Sequence, residues 1–293
     1  MGNVGPWTER WVVVCGGTSG LGLQLVVAAA QQRANLIIIG RDVSRLETAK
    51  AMALEQGASS ATTYSIDLSL KDPSLTLPLT LKADDETQLR EWLANNQVDM
   101  LVNAVGRSDR GPLEKLSDTE LALMLNDNVL CTWNMIRMSL DSIKRARGTI
   151  INIGSLAGLV PAPGMGGYCV AKSALTAMSR QLRVELASFG VHVMLVCPGP
   201  IRRDDGESRY QKIAQQRGLE TASATKPGGG VKLRTIDPKA LCQKILDAAH
   251  RRQRELVTPV KASFLAGISN VWPSLADWIL KKYIVNERKT GNQ

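Results

Sequence analysis

From residue 11 onward, short runs that are apolar throughout alternate with longer stretches of helical periodicity. A strand with one wet face alternates apolar and polar side chains; a strand that is apolar throughout must be covered on both faces. Strands are expected at Trp11–Cys15, Asn35–Ile39, Thr62–Ile66, Val98–Val102, Thr149–Ile153 and Val191–Val196, with a short seventh at Leu256-Val257, and the apolar runs among them mark cover on both faces. Helical patterns fall between them, the first from about Leu21 to Arg33, and Ser44-Arg45-Leu46-Glu47 reads as a capping box opening the second. This order predicts an α/β fold: a Rossmann-type, doubly wound parallel sheet of about seven strands flanked by helices. No linker or repeat divides the chain, so one domain is expected over residues 1–293, within the upper range of a single core.

A turn of unusual composition follows the first strand: Gly16-Gly17-Thr18-Ser19-Gly20-Leu21-Gly22. Glycines there let the backbone turn tightly and approach a pyrophosphate, whose charge meets the N-terminus of the next helix. The second strand ends in Gly40-Arg41-Asp42. The place where NAD-binding chains put an acidic side chain for the ribose 2′-hydroxyl holds glycine, and the guanidinium of Arg41 suits a 2′-phosphate. NADP(H) is therefore the expected coenzyme, with NAD(H) the alternative; Asp42 is expected to help start the following helix.

Tyr168-Cys169-Val170-Ala171-Lys172 carries the candidate chemistry. Four-residue spacing on a helix puts Tyr168 and Lys172 on one face, one turn apart. A neighbouring ammonium favours phenolate, so such a tyrosine can give a proton to a carbonyl oxygen or take one from an alcohol. Of the four tyrosines, only Tyr168 has lysine at this spacing.

These motifs resemble the short-chain dehydrogenase/reductase family, over about residues 10–260. The family carries Thr-Gly-x-x-x-Gly-x-Gly in the first turn; here Cys15 stands in place of Thr. It carries Asn-Asn-Ala-Gly after the fourth strand; here that stretch is Asn103-Ala104-Val105-Gly106. The resemblance implies a hydrogen bond between the family's Thr and its second Asn. Reading Cys15 and Ala104 as one compensated exchange predicts that Ala104→Asn alone destabilises and that Cys15→Thr restores the loss.

The resemblance further implies a catalytic set of Asn128, Ser155, Tyr168 and Lys172. Ser155 lies 13 residues before Tyr168 and would hydrogen-bond the substrate oxygen, and Asn128 would hold a water of the proton relay. The implied cofactor contacts are Gly16, Thr18, Ser19, Gly20, Leu21, Gly22, Arg41, Asp67, Leu68, Asn103, Ala104, Gly106, Tyr168, Lys172, Pro198, Gly199 and Ile201. Asp67 would meet the adenine, and the Pro198-Gly199 turn would lie beside the nicotinamide. Arg203 stands where the family often has Thr. The implied activity is hydride transfer between NADP(H) and a small-molecule carbonyl or alcohol, by a homodimer or homotetramer. A non-catalytic NAD(P)-binding sensor of the same fold is the alternative.

Charge and composition bound the remaining choices. The net charge is +9, and the excess lies after residue 200, where 18 basic side chains meet nine acidic ones. With aromatics at 4% there is no stacking face for nucleic acid, and no nucleic-acid partner is expected. Five scattered cysteines without C-x-x-C spacing read as free thiols in a reducing compartment, and no metal site is expected. No basic-then-apolar leader and no run of 18 apolar residues is present, which makes a cytoplasmic protein the expectation.

Three stretches break the rhythm. Residues 68–84 lengthen the link after the third strand; residues 201–234, basic and holding Gly228-Gly229-Gly230, are expected to form a substrate lid. Residues 262–293 form an amphipathic extension, with apolar side chains at helical spacing from Phe264, Pro273 opening a new segment, and Lys281, Lys282, Arg288 and Lys289 behind them. A helix packed over the substrate pocket or a subunit neighbour is the expectation there. Peripheral membrane contact is the alternative.

Overall fold

The computed structural model describes residues 5–69, 83–162, 164–202, 215 and 234–278. Most of the 68–84 link, most of the expected lid (Arg203 with it) and the basic end of the extension lie outside the described residues.

Seven parallel strands form one sheet in the order β3-β2-β1-β4-β5-β6-β7. They are β1 (Trp11–Cys15), β2 (Asn35–Gly40), β3 (Ser60–Ser65), β4 (Met100–Asn103), β5 (Thr149–Ile153), β6 (His192–Pro198) and β7 (Glu255–Thr258). The order reverses between β1 and β4. Neither crossover there can cover the crevice at the strands' carboxyl ends, and ligands of such sheets bind at that point.

Both faces are dry. On one, Val12 and Val14 of β1 pack with α1 (Gly20–Ala30), α2 (Val43–Glu55) and α7 (Pro238–His250). On the other, Val13 and Cys15 pack with α3 (Ala83–Asn95), α5 (Cys131–Ala146) and α6 (Gly166–Glu185). This double cover is what the uninterrupted apolar runs require.

β3 starts two residues before the expected Thr62. Among the described residues it pairs only with β2, and it is mostly half-buried, so its polar start carries no apolar signal. The N-cap of α2 is Asp42 rather than Ser44: its carboxylate accepts from the Arg45 N–H at 3.1 Å, while Glu47 Oε1 accepts from the Thr63 hydroxyl. The expected capping box is therefore absent, and Asp42 fills the helix-starting role read for it.

The expected exchange between Cys15 and Ala104 is also corrected. In the β1–β4 register Cys15 faces Asn103. Ala104 packs toward the α1 layer, whereas Cys15 belongs to the α5 layer. Asn103 donates Nδ2 to Asn152 Oδ1 at 2.9 Å, and Asn152 donates on to the Ser179 hydroxyl on α6. Asn103 Oδ1 is buried with no hydrogen-bond partner.

Between α4 (Asp118–Leu125) and α5, residues Asn126–Leu130 form one wide π turn. At the other end of the chain, α8 (Lys261–Val271) leaves Phe264 and Val271 exposed, so the expected burial of that apolar stripe does not occur in the single chain.

Candidate active site

The glycine turn leaves β1 with Gly16 at φ +78° and reaches α1 through Gly20 at φ +54°, both in the left-handed region that favours glycine. A Cβ on Gly22 would lie 2.1 Å from the Gly16 carbonyl oxygen, so this helix start admits only glycine. Ser19 is the N-cap of α1, yet its hydroxyl makes no cap bond, and no acidic residue stands in the first turn. The positive end of α1 is thus left to an outside anion. Thr18 is half-buried and Leu21 is buried in the α1 layer.

At the end of β2, Arg41 is exposed. A Cβ added to Gly40 would lie 2.7 Å from Thr18 Cγ2. Asp67 follows β3, and one of its carboxylate oxygens accepts from the backbone N–H and hydroxyl of Ser69. Leu68 is buried, and its carbonyl accepts from Asn134 Nδ2. Asn103 engages its amide nitrogen within the sheet, on Asn152. Gly199 donates its N–H to the Thr258 carbonyl, and Ile201 bridges to Ile236, which fixes the turn after β6.

Tyr168, Asn128 and the turn capped by Ser155 border Lys172. Its side chain is 4% exposed, and Nζ donates to the Ile153 carbonyl at the end of β5, 3.0 Å away. Nζ stands 5.7 Å from the centre of the Tyr168 ring. Burial lowers the Lys172 pKa from 10.5 to about 8, and only the thiolate form of Cys197 would act in the opposite direction. Burial likewise pushes that thiol up to about 12, so Cys197 is a neutral neighbour at ordinary pH.

Asn128 is fully buried in the π turn. It donates Nδ2 to the carbonyls of Arg107 and Met124, and its Oδ1 accepts from the Arg107 N–H at 3.3 Å. A Cβ on Gly106 would lie 2.7 Å from Asn128 Oδ1 and 3.2 Å from Lys172 Nζ, so both groups border the same glycine.

Ser155 sits just past β5 as the cap of the single turn Leu156–Gly158. Its hydroxyl oxygen accepts from the Ala157 N–H at 3.1 Å, which leaves the hydroxyl hydrogen to be donated elsewhere. That turn is held against α6 by Gly158, where a Cβ would lie 2.5 Å from the Lys172 carbonyl oxygen.

The start of α6 is fixed by contacts that the sequence did not announce. Gly111 donates to the Gly164 carbonyl and Gly166 to the Gly111 carbonyl. A Cβ on Gly166 would lie 2.7 Å from Leu113, and one on Gly167 equally close to Leu116. The pair before Tyr168 therefore lets the loop after β4 seat the tyrosine. Arg110, 1% exposed in that loop, acts on the Cys169 thiol by its charge. No local pattern marks a buried arginine, but Gly166-Gly167 directly ahead of Tyr168 was a signal of close approach.

The family model described as short chain dehydrogenase matches residues 10–213. The chain belongs to that family. Among curated relatives, human dehydrogenase/reductase SDR family member 7 is 32% identical over 203 residues, covering 67% of this chain and 56% of that protein. Very-long-chain 3-oxoacyl-CoA reductase of Macaca fascicularis is 28% identical over 201 residues, 67% of this chain and 61% of that protein. The chain thus matches less than two thirds of the length of either relative. Among solved structures, a short-chain dehydrogenase from Sphingobium yanoikuyae in complex with NADPH superposes with a TM-score of 0.69 at 20% identity. That superposition covers 92% of this chain and 95% of that one, and it shows the short-chain dehydrogenase fold.

Proposed function

We propose that this short-chain dehydrogenase transfers hydride between NADP(H) and a carbonyl or alcohol substrate, with Tyr168 as proton donor and acceptor. The observation that carries the reading is the convergence of Tyr168, Asn128 and the Ser155 turn on the buried Lys172. The dinucleotide supplies or accepts the hydride when bound. The chain's own groups would do the rest. Ser155 donates its free hydroxyl hydrogen to the substrate oxygen and holds it in place. Tyr168 passes its phenolic proton to that oxygen, or takes one in the reverse direction. Lys172 holds charge beside the phenol, and Asn128 fixes the loop behind it through its two carbonyl partners.

The residues present fit a phosphorylated dinucleotide. The glycine turn and the uncapped start of α1 suit the pyrophosphate. Two observations favour the 2′-phosphate. A Cβ at position 40 would press on the Thr18 methyl at 2.7 Å, so an acidic side chain there requires Thr18 to shift, and the place of the NAD-type ribose partner is held by glycine. The carboxylate of Asp42 is engaged with Arg45, as cap acceptor and in an ion pair at 3.4 Å, which leaves the exposed Arg41 as the charge at that strand end.

The reading is tested by incubating the purified protein with a panel of ketones, aldehydes and alcohols and either coenzyme, while following the absorbance of reduced nicotinamide. Turnover with NADP(H) supports it. Tight binding of NADPH with no turnover across a broad panel would favour a sensor.

A further inference from the structure

Twelve large hydrophobic side chains are exposed among the described residues, and six of them fall between residues 260 and 278. Val260, Phe264 and Val271 are 68%, 70% and 86% exposed. With Gly267 they are spaced by four, three and four residues, which places them on one stripe of α8. A Cβ on Gly267 would meet nothing within 4 Å, so the stripe is open along its length. Trp272, where the helix ends, and Leu275 and Trp278 beyond it are exposed as well. The opposite side is anchored: Ala266 and Ala276 are buried. A helix that buries small residues and shows large apolar ones to water has its contact surface on the outer side.

Charge and side-chain type choose the occupant. Lys261 opens α8, and Lys281 and Lys282 follow Trp278 within four residues of chain, against the single acid Asp277. Tryptophan and lysine flanking an apolar stripe suit the boundary between headgroups and acyl chains, where the indole keeps one polar edge wet. A second copy of the chain suits it less. Lysine is depleted in protein interfaces. Among the described residues no helix is long and apolar enough to cross a bilayer, and α8, with 11 residues, is suited to lie along one.

We propose that the stripe from Val260 to Trp278 docks the protein on the surface of an anionic phospholipid bilayer. The full-length protein is floated with vesicles of phosphatidylcholine alone or mixed with phosphatidylglycerol, at low and at high salt. Binding is expected only to the mixed vesicles and is expected to weaken with salt. Lys281→Gln with Lys282→Gln should weaken it by roughly thirty-fold, from about one screened charge contact for each lysine. Phe264→Ser with Val271→Ser should abolish it; both side chains are exposed, so the melting temperature of this variant should match wild type. Absence of flotation with mixed vesicles overturns the proposal. So does flotation that the Phe264 and Val271 changes leave intact. A dimer in sedimentation that dissociates in the Phe264→Ser, Val271→Ser variant, with no vesicle binding, would give the stripe to a second copy instead.

Discussion

Lys172 on α6 donates its ammonium to the carbonyl of Ile153, the last residue of β5, at 3.0 Å. This bond ties the candidate catalytic helix to the end of the central sheet. It also leaves a charge in a buried place, with the pKa lowered to about 8. Between about pH 8 and the ordinary lysine value of 10.5, the unfolded chain holds a proton that the folded protein has released. More protons on the unfolded state mean that this group's contribution to stability rises with pH across that window. Urea denaturation of wild type and Lys172→Met, without coenzyme, near pH 8 and near pH 10 isolates it. The stability difference, wild type minus variant, should increase toward pH 10; a flat difference contradicts the buried, depressed lysine.

Cys15 faces Asn103 across β1 and β4, and Asn103 Oδ1 is buried without a partner. A hydroxyl at position 15 would stand on the adjacent strand facing that oxygen. Cys15→Thr should therefore stabilise by about 1 kcal/mol, the net worth of an ordinary hydrogen bond. Ala104→Asn should destabilise by crowding Gly22 on the other face, and Cys15→Thr should not rescue it. Thermal denaturation of the two single variants and the double one checks both statements. Rescue in the double variant would restore the sequence-derived pairing of Cys15 with Ala104.

Coenzyme choice is expected to rest on positions 18, 40 and 41. Arg41→Ala should weaken NADPH binding by about 1.5–3 kcal/mol, a charge-assisted contact, and leave NADH binding unchanged. Gly40→Asp alone should gain little for NADH, because Thr18 fills the space beside it. Gly40→Asp with Thr18→Ala should bind NADH more tightly than wild type. Equal loss of both coenzymes in Arg41→Ala, or full gain from Gly40→Asp alone, would contradict this assignment. Titration of coenzyme fluorescence measures each case.

The fold was legible because β1, β2, β5 and β6 are apolar on both faces, which only a doubly covered parallel sheet satisfies. The site was legible where spacing on one element sets geometry, as for Tyr168 and Lys172 on α6. Contacts between distant elements were not. The partner of Cys15 depends on the β1–β4 register, which a one-residue shift turns to the other face. The cap of α2 was misplaced because Asp42 and Ser44 both suit a helix start, and only the backbone decides between them. The crowding at position 40 comes from Thr18, 22 residues earlier in the chain. The exposed stripe on α8 carried the right periodicity, but periodicity does not say which face meets the protein.

Tyr168→Phe keeps the ring and removes the hydroxyl that carries the transferable proton. On a substrate established with wild type, single-turnover and steady-state rates are measured together with NADPH affinity. Turnover should fall by at least the roughly 10²–10⁴ expected for a lost general acid, with NADPH affinity near wild type. A Tyr168→Phe protein with near-normal turnover would contradict the assignment of proton transfer to Tyr168.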